Sequence, residues 1–353
     1  MPSALRIAAE RLTARAAVGL PRPVQRLAFG APIRRDGLEL APEVQTLVKL
    51  DQLVGAGGVD AVPVREARAR LLHDALVAGG RPRAMAEVRA VDAGGVPARL
   101  YVPPEAPTPS PLAVWYHGGG HVVGDLDTHD LTCRWFAREA GVRVLAVDYR
   151  LAPEHPFPAA VDDALAAFRS AAANADGLGA DPARIAVAGD SAGGNLAAVV
   201  AQLAAEDEVA PAFQLLIYPV CDYTREWPSY AHFATGFFLT RAEMRWYRGH
   251  YLPDAAAASD PRASPLARED PDGRGARVRR HGGVRPAARR GRGVRAAPAR
   301  GRRADDPAPL RGLLPRLRER AGAGRAVPRP GARDRGRAAL GPGRAAVARS
   351  PDA

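Results

Sequence analysis

The chain of 353 residues has only two cysteines, Cys133 and Cys221, too few for a disulfide framework, and no C-x-x-C spacing of the kind that holds a metal. These absences fit a reducing cytoplasm, and neither a metal nor another cofactor is expected. No run reaches the ~18 consecutive apolar residues that would span a membrane, and Arg6, Glu10, Arg11 and Arg15 interrupt the N-terminal segment, so it lacks the apolar centre of an export signal. The end of the chain lacks most: residues 271–353 contain no Phe, Tyr, Trp, Ile, Met, Lys, Asn, Gln, Thr or Cys. A segment of that composition cannot bury enough apolar surface to offset its conformational entropy, and it is expected to be disordered.

The formal net charge of +12 would ordinarily raise nucleic acid or a membrane surface as a partner. Its distribution argues otherwise. Residues 271–353 carry 23 arginines against 6 acids, which leaves residues 1–270 with a net charge of −5. An arginine-rich arm for nucleic acid would interleave basic residues with aromatics or carry a foldable motif, and this segment does neither, so no specific nucleic-acid partner is expected.

What is present begins with Val187-Ala188-Gly189-Asp190-Ser191-Ala192-Gly193-Gly194-Asn195, which follows the apolar run 184–188 and precedes the alanine- and leucine-rich run 196–205. That order is strand, sharp turn, helix, with a serine at the apex as in the nucleophile elbow G-x-S-x-G. Gly189 and Gly193 are expected to remove Cβ atoms that would collide with the serine, which makes Ser191 the candidate nucleophile. In a chain of 36 glycines the turn alone also fits an ordinary glycine-rich connection. A second motif, His117-Gly118-Gly119-Gly120-His121, follows the apolar run 112–116. Acyl transfer builds negative charge on a carbonyl oxygen. Backbone N–H groups aimed at that oxygen are worth roughly 3–4 kcal/mol per donor, and glycines leave them accessible. A glycine loop upstream of a serine elbow, each preceded by a strand, is the order an α/β-hydrolase requires.

Together with Tyr116 and the stretch Val147-Asp148-Tyr149-Arg150-Leu151-Ala152-Pro153-Glu154-His155-Pro156-Phe157-Pro158, these motifs resemble the hormone-sensitive-lipase-like branch of the α/β-hydrolases, chiefly bacterial carboxylesterases. The resemblance covers residues 1–270. It implies a small-molecule ester substrate and an oxyanion hole formed by the backbone N–H groups of Gly119, Gly120 and Ala192. His117 and Gly118 belong to the same motif, and Asp190 and Glu154 are implied to support the serine turn. The acid and histidine of the triad would come from the C-terminal quarter, where no residue in this frame is a credible candidate. His281 is the only histidine there, and His117, His121 and His155 lie in segments with their own family roles.

The order of elements reads as an α/β fold, a mostly parallel central sheet with helices on both faces and a small helical cap. Residues 1–55 form an N-terminal helical cap region, with helices expected at 4–17, where Leu5, Ala8, Ala9, Leu12 and Ala16 recur at helical spacing, and at 38–54. Residues 56–270 form the core. It comprises a helix at 65–77, a hairpin at 87–91 and 97–102, strands at 112–116, 142–147, 185–188 and 213–218, and helices at 127–140, 159–173 and 194–205. Residues 222–252, rich in aromatics, depart from the alternation and read as a cap insertion or as core under a long connection. Residues 271–353 are an aberrant Arg/Ala/Gly/Pro tail, so the last strands are expected to be missing.

That tail has the look of GC-rich DNA translated out of frame. When the first nucleotide of each codon is skipped, codon degeneracy allows residues 279–291 to be read as Val-Val-Thr-Ala-Gly-Phe-Asp-Pro-Leu-Arg-Asp-Glu-Gly, and residues 310–317 as Tyr-Glu-Gly-Phe-Phe-His-Gly-Phe. The first resembles the family's strand and acid motif, the second the segment holding its catalytic histidine. Both need the same frame, which places one inserted or two lost nucleotides between the codons of about Asp270 and Arg277. Two functions are therefore in view: a serine esterase of short-chain carboxylic esters, impaired as written, and a non-catalytic small-molecule binder on the same fold.

Overall fold

A computed structural model describes residues 4–35, 37–55 and 57–267. The arginine-rich tail, His281 and the two motifs of the shifted frame lie outside the described residues.

The N-terminal segment holds α1 (Ala4–Val18), α2 (Arg22–Phe29), a two-residue ribbon of β1 (Arg34–Arg35) and β2 (Leu38–Glu39), α3 (Pro42–Val54) and α4 (Val64–Ala78). The helix expected from residue 38 starts only at Pro42, whose fixed φ suits the first turn, while Leu38 and Glu39 pair with Arg35 and Arg34. No element was expected at α2; its prolines, Pro21 and Pro23, sit at its start, where proline is tolerated.

The main sheet has six strands: β3 (Glu87–Asp92), β4 (Pro97–Val102), β5 (Ser110–Tyr116), β6 (Arg143–Val147), β7 (Ala180–Asp190) and β8 (Phe213–Ile217), in the spatial order β3-β4-β6-β5-β7-β8. The hairpin β3–β4 turns through Gly94 and Gly95, both at positive φ, and β4 runs antiparallel to β6. From β6 onward the pairs are parallel, with Tyr116 opposite Val147 on one side and Gly189 on the other. Alternation along β5 assigns its two faces. Leu112, Val114 and Tyr116 pack with α6 (Ala159–Ala173) and α7 (Ala192–Leu203), whereas Ala113 and Trp115 pack with α5 (Asp130–Ala140). Helices on both faces explain why β5 and β6 are nearly continuous apolar runs.

The chain then forms α8 (Pro228–His232) and α9 (Arg241–Tyr251), the latter opened by a capping box in which Thr240 and Glu243 exchange hydrogen bonds. Glu243 also accepts from Val59 N at 3.2 Å, and Gln52 reaches the Gly236 carbonyl at 3.5 Å, so segments distant in sequence are tied together. Among the described residues β8 pairs with β7 alone.

Candidate active site

Parallel strands deliver their following loops to one edge of the sheet, and in such sheets ligands bind at the carboxyl ends of the strands. Here the ends of β6, β5 and β7 stand side by side, so the Tyr149 segment, the glycine loop and Ser191 converge.

Ser191 is the residue between β7 and α7, with φ 54° and ψ −113°, a conformation that L side chains rarely adopt. It is held there by its surroundings: its N–H donates to the Ile217 carbonyl at 2.8 Å, and its carbonyl accepts from Asn195 N at 3.1 Å and Val220 N at 3.2 Å. The nearest obstacles to a Cβ on the flanking glycines are backbone atoms rather than the serine side chain that the sequence suggested. A Cβ on Gly193 would lie 1.9 Å from the Tyr116 carbonyl oxygen, and one on Gly189 would lie 2.4 Å from Gly193 and 2.5 Å from that same oxygen. Their role is close packing of the elbow against the end of β5.

The glycine loop is similarly constrained. Gly118 N donates to Asp190 Oδ1 at 3.0 Å, and a Cβ on Gly118 would sit 2.3 Å from Asp190 Oδ2. Gly119 has φ 124°, with the Val123 carbonyl oxygen 2.0 Å from where its Cβ would be. Gly120 has φ 63°, with the ring of Tyr247 on α9 at 2.3 Å from its Cβ position. His117 Nδ1 lies 2.8 Å from the Gly118 carbonyl, which can only accept, so that nitrogen carries the proton. Tyr149 donates to the His117 carbonyl at 2.7 Å and stacks on its ring with centroids 4.3 Å apart. Burial, and next the neighbouring His129, push the His117 imidazole down to about 4. His121, buried and stacked 3.8 Å from Tyr251, is pushed down by burial to about 3.

Asp190 is the charged centre of this layer. Burial works to raise its carboxyl, but the His129 hydrogen bond and charge, His117 and the Gly118 N–H together outweigh it and hold Asp190 below the usual carboxylate range. His129 Nε2 is 3.3 Å from Asp190 Oδ1, and its Nδ1 is 3.0 Å from Thr128 Oγ1. Sequence reasoning passed over His129, since nothing local distinguishes it; only the contact across 61 positions does. Glu154 is placed differently from its expected role at the serine turn. Its carboxylate, more than half exposed, takes two hydrogen bonds from Arg68 at 2.9 and 2.6 Å, and Arg68 in turn donates to the Val122 and Ala152 carbonyls. Its hydrogen bonds therefore brace the chain beyond the glycine loop.

Ala192 is buried at the first turn of α7, where backbone N–H groups have no partner within the helix. Asn195, fully buried, donates to the Val220 carbonyl at 2.7 Å and the Ala263 carbonyl at 2.8 Å, joining α7 to the segment after α9. Among the described residues no group of histidine, cysteine and acidic side chains could hold a metal ion, and no helix is long and apolar enough to cross a membrane.

Residues 113–280 match the alpha/beta hydrolase fold family. The chain is 42% identical over 271 residues to the carboxylic ester hydrolase LipN of Mycobacterium tuberculosis, spanning 72% of this chain and 70% of that protein. It is 40% identical over 242 residues to the ethyl acetate hydrolase of Pseudomonas putida, 65% of this chain and 76% of that one. Among solved structures, an ester hydrolase from the metagenome of Lake Arreo, complexed with a bipyridine phosphonate derivative, superposes with a TM-score of 0.66 at 41% identity, over 71% of this chain and 83% of its own. Sheet order, motif order and these likenesses agree: the chain belongs to the hormone-sensitive-lipase-like carboxylesterases of the α/β-hydrolase superfamily and is by family a carboxylic ester hydrolase.

Proposed function

We propose that Ser191 is the nucleophile of a serine carboxylesterase acting on short-chain carboxylic esters, with Gly119, Gly120 and Ala192 donating their backbone N–H groups to the oxyanion. Ser191 attacks the ester carbonyl, a histidine takes its proton, the alcohol leaves, and water releases the acyl group from the serine. The observation that carries this reading is the backbone of Ser191. A non-glycine residue at φ 54° costs of order 1–3 kcal/mol, and such strain is retained where a side chain must be presented at an apex. The adjacent loop fits because its three glycines could not become alanine without collision, which leaves bare backbone facing the same edge.

The base and its orienting acid belong, on this proposal, to the shifted frame of residues 279–291 and 310–317, so the chain as written lacks them. His117 and His121 are poor substitutes. Both are buried, and loss of hydration depresses their basicity to about 4 and about 3, too low for a base working near neutral pH. Residues 1–55 and 222–252 act together as a cap over the substrate. This is supported by the Gln52–Gly236 hydrogen bond and by Tyr247, which presses against Gly120. Both the ester class and its size follow the relatives named above.

A fluorophosphonate probe tests the assignment. In a protein with the frame restored near codon 271, labelling should fall on the peptide containing Ser191 and vanish in Ser191→Ala. Labelling of another residue, or equal labelling of the Ala variant, would remove Ser191 from the mechanism.

A further inference from the structure

The helix α1 carries apolar residues on both sides, Ile7, Ala14, Ala17 and Val18 half-buried on the inner one. Leu5, Ala8, Ala9, Leu12 and Ala16, the apolar set that its spacing picks out, all face solvent, Leu5 keeping 82% and Leu12 71% of its surface. Beside those half-buried residues, polar contacts tie α1 to α4 and the residue after it: Glu10 meets His73 Nε2 at 2.6 Å, Arg11 donates to the Leu76 carbonyl at 2.5 Å, and Arg15 to the Gly79 carbonyl at 3.4 Å. On α2, Leu27 keeps 88% of its surface and Val24 42%. Gln25 fixes α2 to the end of α1 by donating to the Val18 and Leu20 carbonyls at 2.8 and 2.7 Å. Among the described residues none covers these side chains, and exposed apolar surface on this scale marks a contact.

Charge says what covers it. Residues 4–35 carry seven arginines and one glutamate, and Arg6, Arg22, Arg26 and Arg34 keep between 54% and 71% of their side-chain surface while pairing with Glu10, Glu43 and, for the last two, a shared Glu39. Residues 1–55 have a net charge of +3, whereas residues 56–270 have −8. A negatively charged surface would draw this end of the molecule in and hold residues 56–270 away. A second copy would bring two basic faces together against repulsion. We propose that α1 and α2 form an interfacial docking face for anionic phospholipid bilayers, with Leu5, Leu12 and Leu27 entering the acyl-chain boundary and the arginines lying among headgroup phosphates. The docking face does not depend on the esterase reading and stands or falls separately from it.

Because Cys133 and Cys221 are buried, a cysteine placed on the surface can be labelled selectively. The full chain carrying Leu12→Cys, labelled with a polarity-sensitive nitrobenzoxadiazole, should shift to the blue and resist aqueous dithionite on addition of phosphatidylglycerol/phosphatidylcholine vesicles. It should do neither with phosphatidylcholine alone. The same label at Glu105→Cys, an exposed site between β4 and β5, should stay water-like throughout. Adding Leu5→Asp and Leu27→Asp to the labelled chain should raise the lipid needed for half the shift by about tenfold or more. The arginines of residues 271–353 also attract anionic lipid, so sedimentation with vesicles is not the readout. A label at position 12 that stays water-like on vesicle-bound protein would overturn the proposal. So would a label already shielded before lipid is added, since another part of the chain or a second copy would then cover the face.

Discussion

At the scale of the residue, the proposed role of Ser191 sets function against stability. Replacing it with glycine relieves the strain of φ 54°, worth about 1–3 kcal/mol, against a backbone-entropy cost of roughly 0.5–1 kcal/mol. Ser191→Gly in the frame-restored protein is therefore expected to unfold at higher urea while losing turnover. A lower midpoint would mean that the backbone there is not strained. The buried imidazoles make a second prediction. Burial leads the causes that hold His117 at about 4 and His121 at about 3, while an unfolded chain takes up the same protons near ~6.5. Between those values the unfolded state binds more protons, so stability falls as pH drops from ~6.5, by up to about 1.4 kcal/mol per pH unit for each histidine. His121→Phe, which keeps an aromatic ring on Tyr251, should remove one histidine's share of the slope. Urea unfolding at several pH values between about 7 and 4 reads that slope whatever the change in absolute stability, and an unchanged slope would show that His121 does not titrate as described. Both glycine motifs and the serine were legible because each is a short run whose chemistry is local. The Asp190–His129 pair and the collisions that require Gly189 and Gly193 were not, because they arise where β5, β7 and the segment before α5 meet.

At the scale of the element, the strand–helix alternation from β5 to β8 was legible within a few residues, since strands buried on both faces are short apolar runs and the helices between them are longer. Boundaries drifted where side chains set the local turn. The helix expected from residue 127 starts at Asp130 because Asp125 and Thr128 close a hydrogen-bonded turn ahead of it. The direction in which α1 presents its leucines was not legible, because spacing defines an apolar face and only tertiary contacts decide where it points. Asn195 offers a test of how elements are joined. Asn195→Ala would leave the buried Val220 and Ala263 carbonyls without their donor, and a loss of about 1–3 kcal/mol for each is expected in denaturant unfolding. No loss would mean that other groups satisfy them. The strand β8 is apolar and uncharged, pairs only with β7 among the described residues, and keeps 44% of Phe213 exposed. Such an edge is a template for intermolecular pairing. The chain as written should aggregate, Phe213→Lys should raise its soluble fraction, and restoring the frame should raise it further. Full solubility of the written chain would show that the edge is covered.

At the scale of the whole molecule, the family match spans residues 113–280, and the structure supplies a strained serine, a glycine loop and the half-buried Asp190 that joins them. The proton-transfer machinery is not on that list. On the proposed reading the shifted frame would supply both missing parts, which is why restoring the frame, rather than any single substitution, tests the account as a whole. Without its triad partners, a serine hydrolase retains only what its oxyanion hole and binding confer, roughly 10³–10⁴ over water. The decisive measurement is p-nitrophenyl ester hydrolysis by the written chain, the frame-restored chain and the frame-restored Ser191→Ala variant. The restored chain should exceed both others by about three orders of magnitude or more. A written chain as active as the restored one would contradict the account, because catalysis would then be running without the acid and histidine that the shifted frame is proposed to encode.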